Sequence, residues 1–283
     1  MNFIARKIDT FNKIFVSNRV TKPYKMGDKI LLLLSAPDAH NYFDYESVRE
    51  QFRDYDLAVV NYMPVYSMDK LREYKPKYFI AMDPGFYQDD FMGPGTINTE
   101  KVKLVNALEQ IDWDCYFITS VLADFGLKNS HITLIRLNCF SAKLNNLTYW
   151  MYKKNWVSPG FYNVVQAAIF FAITFKYSDI AIMGCPYRSL QYEMQPDGLH
   201  IHEHNHYYEL NRDEVIISND ELKNYKYGYE VQYHKRALGT SMILYYLAEY
   251  ARKCGVDMIN YSENSMISTI KAGILNIPRQ KEK

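Results

Sequence analysis

Lys29-Ile30-Leu31-Leu32-Leu33-Leu34-Ser35-Ala36-Pro37-Asp38 is the stretch on which the fold turns. Its apolar residues run without alternation and stop abruptly at small, polar and proline residues. A strand with no polar side is buried on both faces, so the segment predicts a central strand that breaks into a loop and a helix start. The rhythm recurs downstream. A helical stretch from Tyr45 to Arg53 leads to Asp56-Leu57-Ala58-Val59-Val60-Asn61, a short apolar strand closed by Asn61 and then Pro64. Tyr78-Phe79-Ile80-Ala81-Met82 ends in the turn signal Asp83-Pro84-Gly85, and a Gly/Pro-rich loop precedes a helix from Thr99 to Gln110. Strands follow at Asp114 to Thr119 and Ile132 to Leu137. Phe161, Val164, Val165, Ala168, Ile169, Ala172 and Ile173 recur at helical spacing between Gly160 and Tyr177, feeding the strand Asp179-Ile180-Ala181-Ile182-Met183-Gly184. A helix from Tyr233 to Cys254 and the strand Asp257-Met258-Ile259-Asn260-Tyr261 close the series.

Short apolar strands alternating with helices predict an α/β fold: a single Rossmann-like domain with a mostly parallel twisted sheet and helices on both faces. The domain is expected to span 1–283, with residues 1–28 as an N-terminal extension and 186–232 as a lid insertion. That insertion loses clear periodicity and carries Pro196, Gly198, many tyrosines and most of the histidines, and long aperiodic loops inside compact domains are usually functional. In such sheets ligands gather beyond the carboxyl ends of the strands. The places to look are therefore Ser35 to Asp38, Asn61, Asp83 to Gly85, Gly184 to Tyr187, and Ser262 to Ser265.

Composition sets outer bounds. With 283 residues, 48% hydrophobic and 23% charged, the chain can bury a sizeable core. Its 33 Lys+Arg against 32 Asp+Glu give no global field for gripping nucleic acid. The 26 tyrosines suit sugar or base contacts, but they equally fit a compositional bias toward Tyr, Lys and Asn. Cys115, Cys139, Cys185 and Cys254 lack CxxC spacing and imply a reducing compartment. No secretory leader or membrane-spanning run is read, so a cytoplasmic protein is expected. Phe3, Ile4, Ile8, Phe11 and Ile14 lie near helical spacing among Arg6, Lys7 and Lys13, which suits packing on the domain or peripheral contact with the inner membrane face. A homo-oligomer is compatible with the sequence.

Four of the seven histidines fall in Leu199-His200-Ile201-His202-Glu203-His204-Asn205-His206-Tyr207. Imidazole exchanges protons near neutrality, so the cluster suits a general base. Alternating histidines on an extended segment also suit zinc, and the literal HExxH match from His202 to His206 stands beside Pro196 and Gly198 without a helical frame. Solvated loop histidines without a role are the third reading. Gly184-Cys185-Pro186-Tyr187 with Tyr192 places tyrosine hydroxyls where they could donate to a phosphate gaining charge, or simply pack the lid. Ser158-Pro159-Gly160 is read either as a helix N-terminus favouring an anion or as a plain cap by Ser158. Ser262, Asn264 and Ser265 raise the same choice at the start of a final helix. GxGxxG after the first strand, GxxxxGK[ST] and GxSxG are absent, which removes the main support for dehydrogenase, P-loop and hydrolase readings. Asp112-Trp113-Asp114 sits at the entering end of its strand, not where a metal-binding Asp-x-Asp would serve a nucleotide sugar.

The order of these blocks resembles the bacterial sialyltransferases of glycosyltransferase family 42. Where that family has an Asn-Gly-Pro-Ser loop, this chain reads Ser35-Ala36-Pro37-Asp38, and later positions read Asn61-Tyr62, Asp83-Pro84 and Ser158-Pro159-Gly160. The series continues with Gly184-Cys185-Pro186-Tyr187, His204-Asn205-His206-Tyr207 and Glu263-Asn264-Ser265, and spans Lys29 to Ser268. The resemblance implies inverting, metal-independent transfer of an acidic sugar from a CMP donor to a glycan hydroxyl, with no cofactor beyond the nucleotide-sugar donor. It implies His206 as base and Tyr187 and Tyr192 as groups assisting the departing phosphate. Ser35, Pro37, Asn61, Asp83, Ser158, Gly160, Gly184 and Asn264 would line the donor site. A pterin pyrophosphokinase-like enzyme using ATP and magnesium, and a nucleotide-binding non-enzyme, are the alternatives on the same fold.

Overall fold

The computed structural model describes residues 20–87, 98–185, 192–201, 215–220, 229–263, 265 and 267–277. Its strands, in chain order, are β1 (Lys29–Leu33), β2 (Asp56–Val60), β3 (Tyr78–Ala81), β4 (Cys115–Ser120), β5 (Ile132–Leu137), β6 (Asp179–Met183), β7 (Tyr192–Gln195), β8 (Gly198–Ile201), β9 (Val215–Ser218), β10 (Asp257–Asn260) and β11 (Lys271–Ala272). The helices are α1 (Pro37–Phe43), α2 (Glu46–Gln51), α3 (Met63–Tyr66), α4 (Met68–Tyr74), α5 (Thr99–Leu108), α6 (Asn146–Lys153), α7 (Val164–Thr174) and α8 (Tyr229–Cys254). Eight strands form one parallel sheet in the order β11-β10-β6-β1-β2-β3-β4-β5. The Rossmann-like expectation holds.

Two apolar layers explain why the first strand had to lack a polar side. Ile30, Leu32 and Leu34 pack with α7 and α8 on one face, while Leu31 and Leu33 pack with α1, α2, α4 and α5 on the other. Every one of these five strand residues is at most 1% exposed. Helix α7 is apolar all round because it lies between the sheet and α8, so residues from Ala167 to Ile173 are buried whichever way they point. β1 pairs with β2 on one side and with β6 on the other, Leu33 standing beside both Val59 and Met183. The chain thus winds outward from β1 to β5, then returns to set β6 against β1. That reversal of direction is the switch point, and its crevice lies at the carboxyl ends of β1 and β6.

The tyrosines are chiefly structural where they can be followed. Tyr78, Tyr152, Tyr177 and Tyr250 are among the largest fully buried side chains. At the amino edge of the sheet, the Tyr177 hydroxyl donates to Asp56 Oδ2 at 2.6 Å and lies 2.5 Å from the Tyr78 hydroxyl, while Lys77 Nζ reaches the same carboxylate oxygen at 2.7 Å. Burial, with Asp56 as acceptor, holds the Tyr177 hydroxyl far above its usual range, so it stays a donor. Gly27 passes so closely that a Cβ there would sit 2.5 Å from Asp56 Oδ2.

Two expectations need correction. The stretch from 186 to 232 is not simply an aperiodic loop: β7, β8 and β9 form a second, antiparallel sheet within it. The expected final helix after Ser265 is absent among the described residues, where β11 pairs in parallel with β10 instead. The N-terminal extension is fixed from residue 20 onward. Thr21 N–H donates to the Arg136 carbonyl at 3.2 Å and its Oγ1 accepts from Arg136 N–H at 2.9 Å, so this segment lies along β5, the outermost strand on that side. The apolar positions from Phe3 to Ile14 lie outside the described residues. No described helix is long and apolar enough to cross a membrane, and all four cysteines are free thiols.

Candidate functional site

Three strand exits meet at the switch point. Leu34 N–H donates to the Met183 carbonyl at 2.8 Å, and Tyr261 N–H to that of Ile182 at 2.7 Å, so β1, β6 and β10 stay in register up to the loops that follow. A crevice opens there, lined by Ala36, Ala39, Tyr42, Met183, Gly184, Tyr261, Ser262 and Glu263. Gly184 has φ +86°, a left-handed conformation that glycine adopts freely, and a Cβ on it would come within 2.7 Å of Ala39 Cβ and 3.0 Å of the Leu34 carbonyl oxygen. Glycine is therefore what lets α1 close over the β6 exit.

The loop after β10 is bonded to the loop after β6. Ser262 Oγ accepts the Cys185 N–H at 2.7 Å, Ser265 Oγ donates to the Cys185 carbonyl at 2.9 Å, and Asn260 bonds both serines. These serines serve as a brace rather than a helix start. Burial pushes the Cys185 thiol well above its usual range, so it is a packing group here and not a nucleophile. Across the mouth, the Tyr42 hydroxyl donates to Glu263 Oε2 at 2.6 Å, linking α1 to the β10 loop. The rim thereby carries a carboxylate, an acceptor suited to hydroxyl groups of a sugar or ribose.

His40 lies behind this rim and is 1% exposed. Its Nε2 is 2.8 Å from the Leu34 carbonyl, fixing the turn by which β1 enters α1. Burial is the first cause of a pKa lowered to about 4, against the opposing pull of the Leu34 bond, so the ring is neutral and donates through Nε2.

The remaining expected residues lie along the same carboxyl edge, in separate environments. Ser35 is half-buried at the β1 exit and Pro37 is the first residue of α1. Asn61 closes β2 at φ +50°, with its N–H on the Ile80 carbonyl and a buried Oδ1 that has no hydrogen-bond partner among the described residues. Asp83 is exposed after β3 and accepts from Gly85 N–H at 2.9 Å. Beside it Tyr87 is buried against Ser120, whose Oγ is 3.2 Å from Cys139 Sγ, at the exits of β4 and β5.

Ser158 and Gly160 are corrected in role. The cap of α7 is Asn163, whose side chain accepts from Gln166 N–H at 3.2 Å, and the helix begins at Val164. Ser158 is fully buried, bridges to Ser141, and turns its hydroxyl to the Gly160 N–H, so it tightens its own loop instead of offering a helix terminus to an anion. Gly160 has φ +85°, and a Cβ there would lie 2.9 Å from Ser141 Oγ.

Of the stretch from Leu199 to Tyr207, only Leu199, His200 and Ile201 belong to the described segments. His200 sits in β8, is 6% exposed, and pairs through Nε2 with Asp197 Oδ1 at 2.8 Å. Tyr192 opens β7 opposite Ile201. His206, Tyr187 and Asn264 lie outside the described residues. Asp112-Trp113-Asp114 does precede β4, as read, with Asp114 bonded to His131 at 2.9 Å. Sequence reasoning named the loop that holds Glu263 but missed Tyr42 on the rim and His40 behind it; the signal available was their placement just after the first strand of a switch point.

No protein-family model matches the chain, and no curated protein sequence does either. Among solved structures, it matches a protein from Anabaena variabilis described as a sugar phosphate isomerase/epimerase, at 11% identity and a TM-score of 0.17. That match covers 83% of this chain and 54% of the other, so the chain spans about half the length of that protein. A likeness at this level carries no inference on function.

Proposed function

We propose that the chain is an inverting glycosyltransferase that moves an acidic sugar, sialic acid or a related nonulosonic acid or Kdo, from a CMP donor to a glycan hydroxyl. The reading places it in surface polysaccharide or lipooligosaccharide assembly at the cytoplasmic face of the inner membrane. The observation that supports it is the switch-point crevice. The loops at Ser35, Asn61, Asp83, Gly184 and Ser262, part of the series that resembles the sialyltransferases, leave the carboxyl edge of one parallel sheet.

In this reading the loop at Ser35 and Pro37 and the backbone at Gly184 give the donor a close approach, while Glu263 accepts ribose hydroxyls. Asn61, whose buried Oδ1 has no partner among the described residues, and Asp83 continue the donor wall; Ser158 and Gly160 hold its far loop in shape, and Asn264 extends it. His206 removes the proton of the acceptor hydroxyl, which attacks the anomeric carbon from the face opposite CMP. Tyr187 and Tyr192 donate hydrogen bonds to the phosphate as the glycosidic bond breaks and charge collects on it.

The test is CMP release from CMP-activated acidic sugars in the presence of a glycan acceptor, with and without chelator. Turnover insensitive to chelator is expected, and His206→Ala should lower it on the order of a hundredfold to ten-thousandfold. Undiminished turnover in that variant removes His206 from the mechanism. Turnover of ATP that requires magnesium, with none of CMP-sugars, replaces the proposal by the pyrophosphokinase-like alternative.

A further inference from the structure

Between Asp124 and Asp179 the chain contains no acidic residue, although it carries 32 elsewhere. The same interval holds Lys128, Arg136, Lys143, Lys153, Lys154 and Lys176, so the remainder keeps 27 of the 33 Lys+Arg against all 32 Asp+Glu. A near-neutral molecule is thus polarised, with its positive charge concentrated in the segment that contains α6.

That segment also exposes large apolar side chains. Leu147 is 68% exposed, Trp150 46% and Trp156 39%, and the two indoles meet edge to face at 4.8 Å. Leu147, Trp150 and Lys154 fall at i, i+3 and i+7, one stripe of α6 and its cap. Lys143, Lys153, Lys154 and Lys253 are exposed around it, and none forms an ion pair with a described residue. Lys153 and Lys253 instead both lie over the Tyr149 ring, 5.2 and 5.4 Å from its centre.

We infer that this face rests on an anionic lipid surface. Indoles favour the boundary between headgroups and acyl chains, and lysine stems cover apolar surface while their ammonium groups reach lipid phosphates. The exposed Leu147 gains from entering hydrocarbon but has no ring on which a nucleobase could stack, which separates this face from a single-stranded nucleic-acid platform. The amino-terminal chain enters the fold beside it. Asn155 Nδ2 donates to the Thr21 carbonyl at 3.1 Å, one residue from Trp156, so in sequence the basic, apolar positions from Phe3 to Ile14 precede a segment tied to the residue beside this indole. The surface is independent of sugar transfer, since none of its residues lines the crevice.

Sedimentation of the full chain with vesicles of phosphatidylcholine, alone or mixed with phosphatidylglycerol, tests the inference, beside a titration with single-stranded oligothymidylate. Binding to the anionic vesicles alone is expected, weakening with salt, with a blue shift of tryptophan emission. Replacing Lys143, Lys153 and Lys154 together by Gln should weaken binding on the order of a hundredfold, roughly fivefold for each charge. Trp150→Ser with Trp156→Ser should remove the blue shift, because the third tryptophan, Trp113, is already buried. The lysine variant removes no buried atom and keeps the test decisive should the tryptophan pair prove necessary for folding. Wild-type binding by the lysine variant, equal binding to neutral vesicles, or tighter binding to oligothymidylate than to vesicles overturns it.

Discussion

His40 shows how a single ring ties stability to acidity. Its folded pKa is lowered to about 4 from the ordinary imidazole value of 6.5, so the unfolded chain takes up the proton more readily. The stabilisation is complete above pH 6.5, falls as pH drops through that value, and is spent near pH 4. Between pH 7 and pH 5 the loss should be about 2 kcal/mol, read from urea midpoints. His40→Gln keeps a donor for Leu34 and cannot titrate in this range, so it should flatten that slope; a slope unchanged in the variant would assign it to another group. At the amino edge, Tyr177→Phe strips Asp56 of one donor and should cost roughly 1 to 3 kcal/mol in denaturant unfolding. Neither residue announces itself in the sequence. One histidine among seven and one tyrosine among 26 carry no local pattern that marks a buried partner.

At the scale of elements, the closure of α1 over β6 depends on Gly184. Gly184→Ala combines a positive φ with contacts at 2.7 and 3.0 Å, and should cost more than about 2 kcal/mol by chemical denaturation. An alanine variant as stable as the parent would mean that α1 yields without loss. The elements that could be read in advance were those buried on both sides. β1 to β4 and β6 stand out as apolar blocks because helices cover both faces of the sheet there, whereas β5 and β10, partly exposed, were read from shorter apolar runs. Where that cause is missing, the reading failed. β11 has only two exposed residues, Lys271 and Ala272, and is held by pairing alone. β7 to β9 lie in a His- and Tyr-rich stretch where polar side chains mask strand periodicity. Helices α3 and α4 hide behind Pro64 and the bend at Ser67, and α6 is short and keeps its apolar residues partly in solvent. The site was legible to the same extent as the strands. The exits of β1, β2, β3 and β6 could be named from where apolar runs stop, but not that Ser262 and Ser265 would be taken up by Cys185, nor that Ser158 would face its own loop.

For the molecule as a whole, the parallel sheet gathers its loops on one edge, while the acid-free interval gives one region of the surface a charge that the composition conceals. A sheet open at its sides also invites unwanted company, since unpaired backbone groups on an end strand can template another chain. Here one end is β11, only two residues long, and the other, β5, already engages Thr21 of its own amino-terminal segment. Neither margin presents a long free ladder. Copies of this protein that associate across the margins of this sheet would therefore have to meet through side chains, and heating or partial unfolding that frees residues near Thr21 from Arg136 should be the step that opens this sheet to fibrous aggregates.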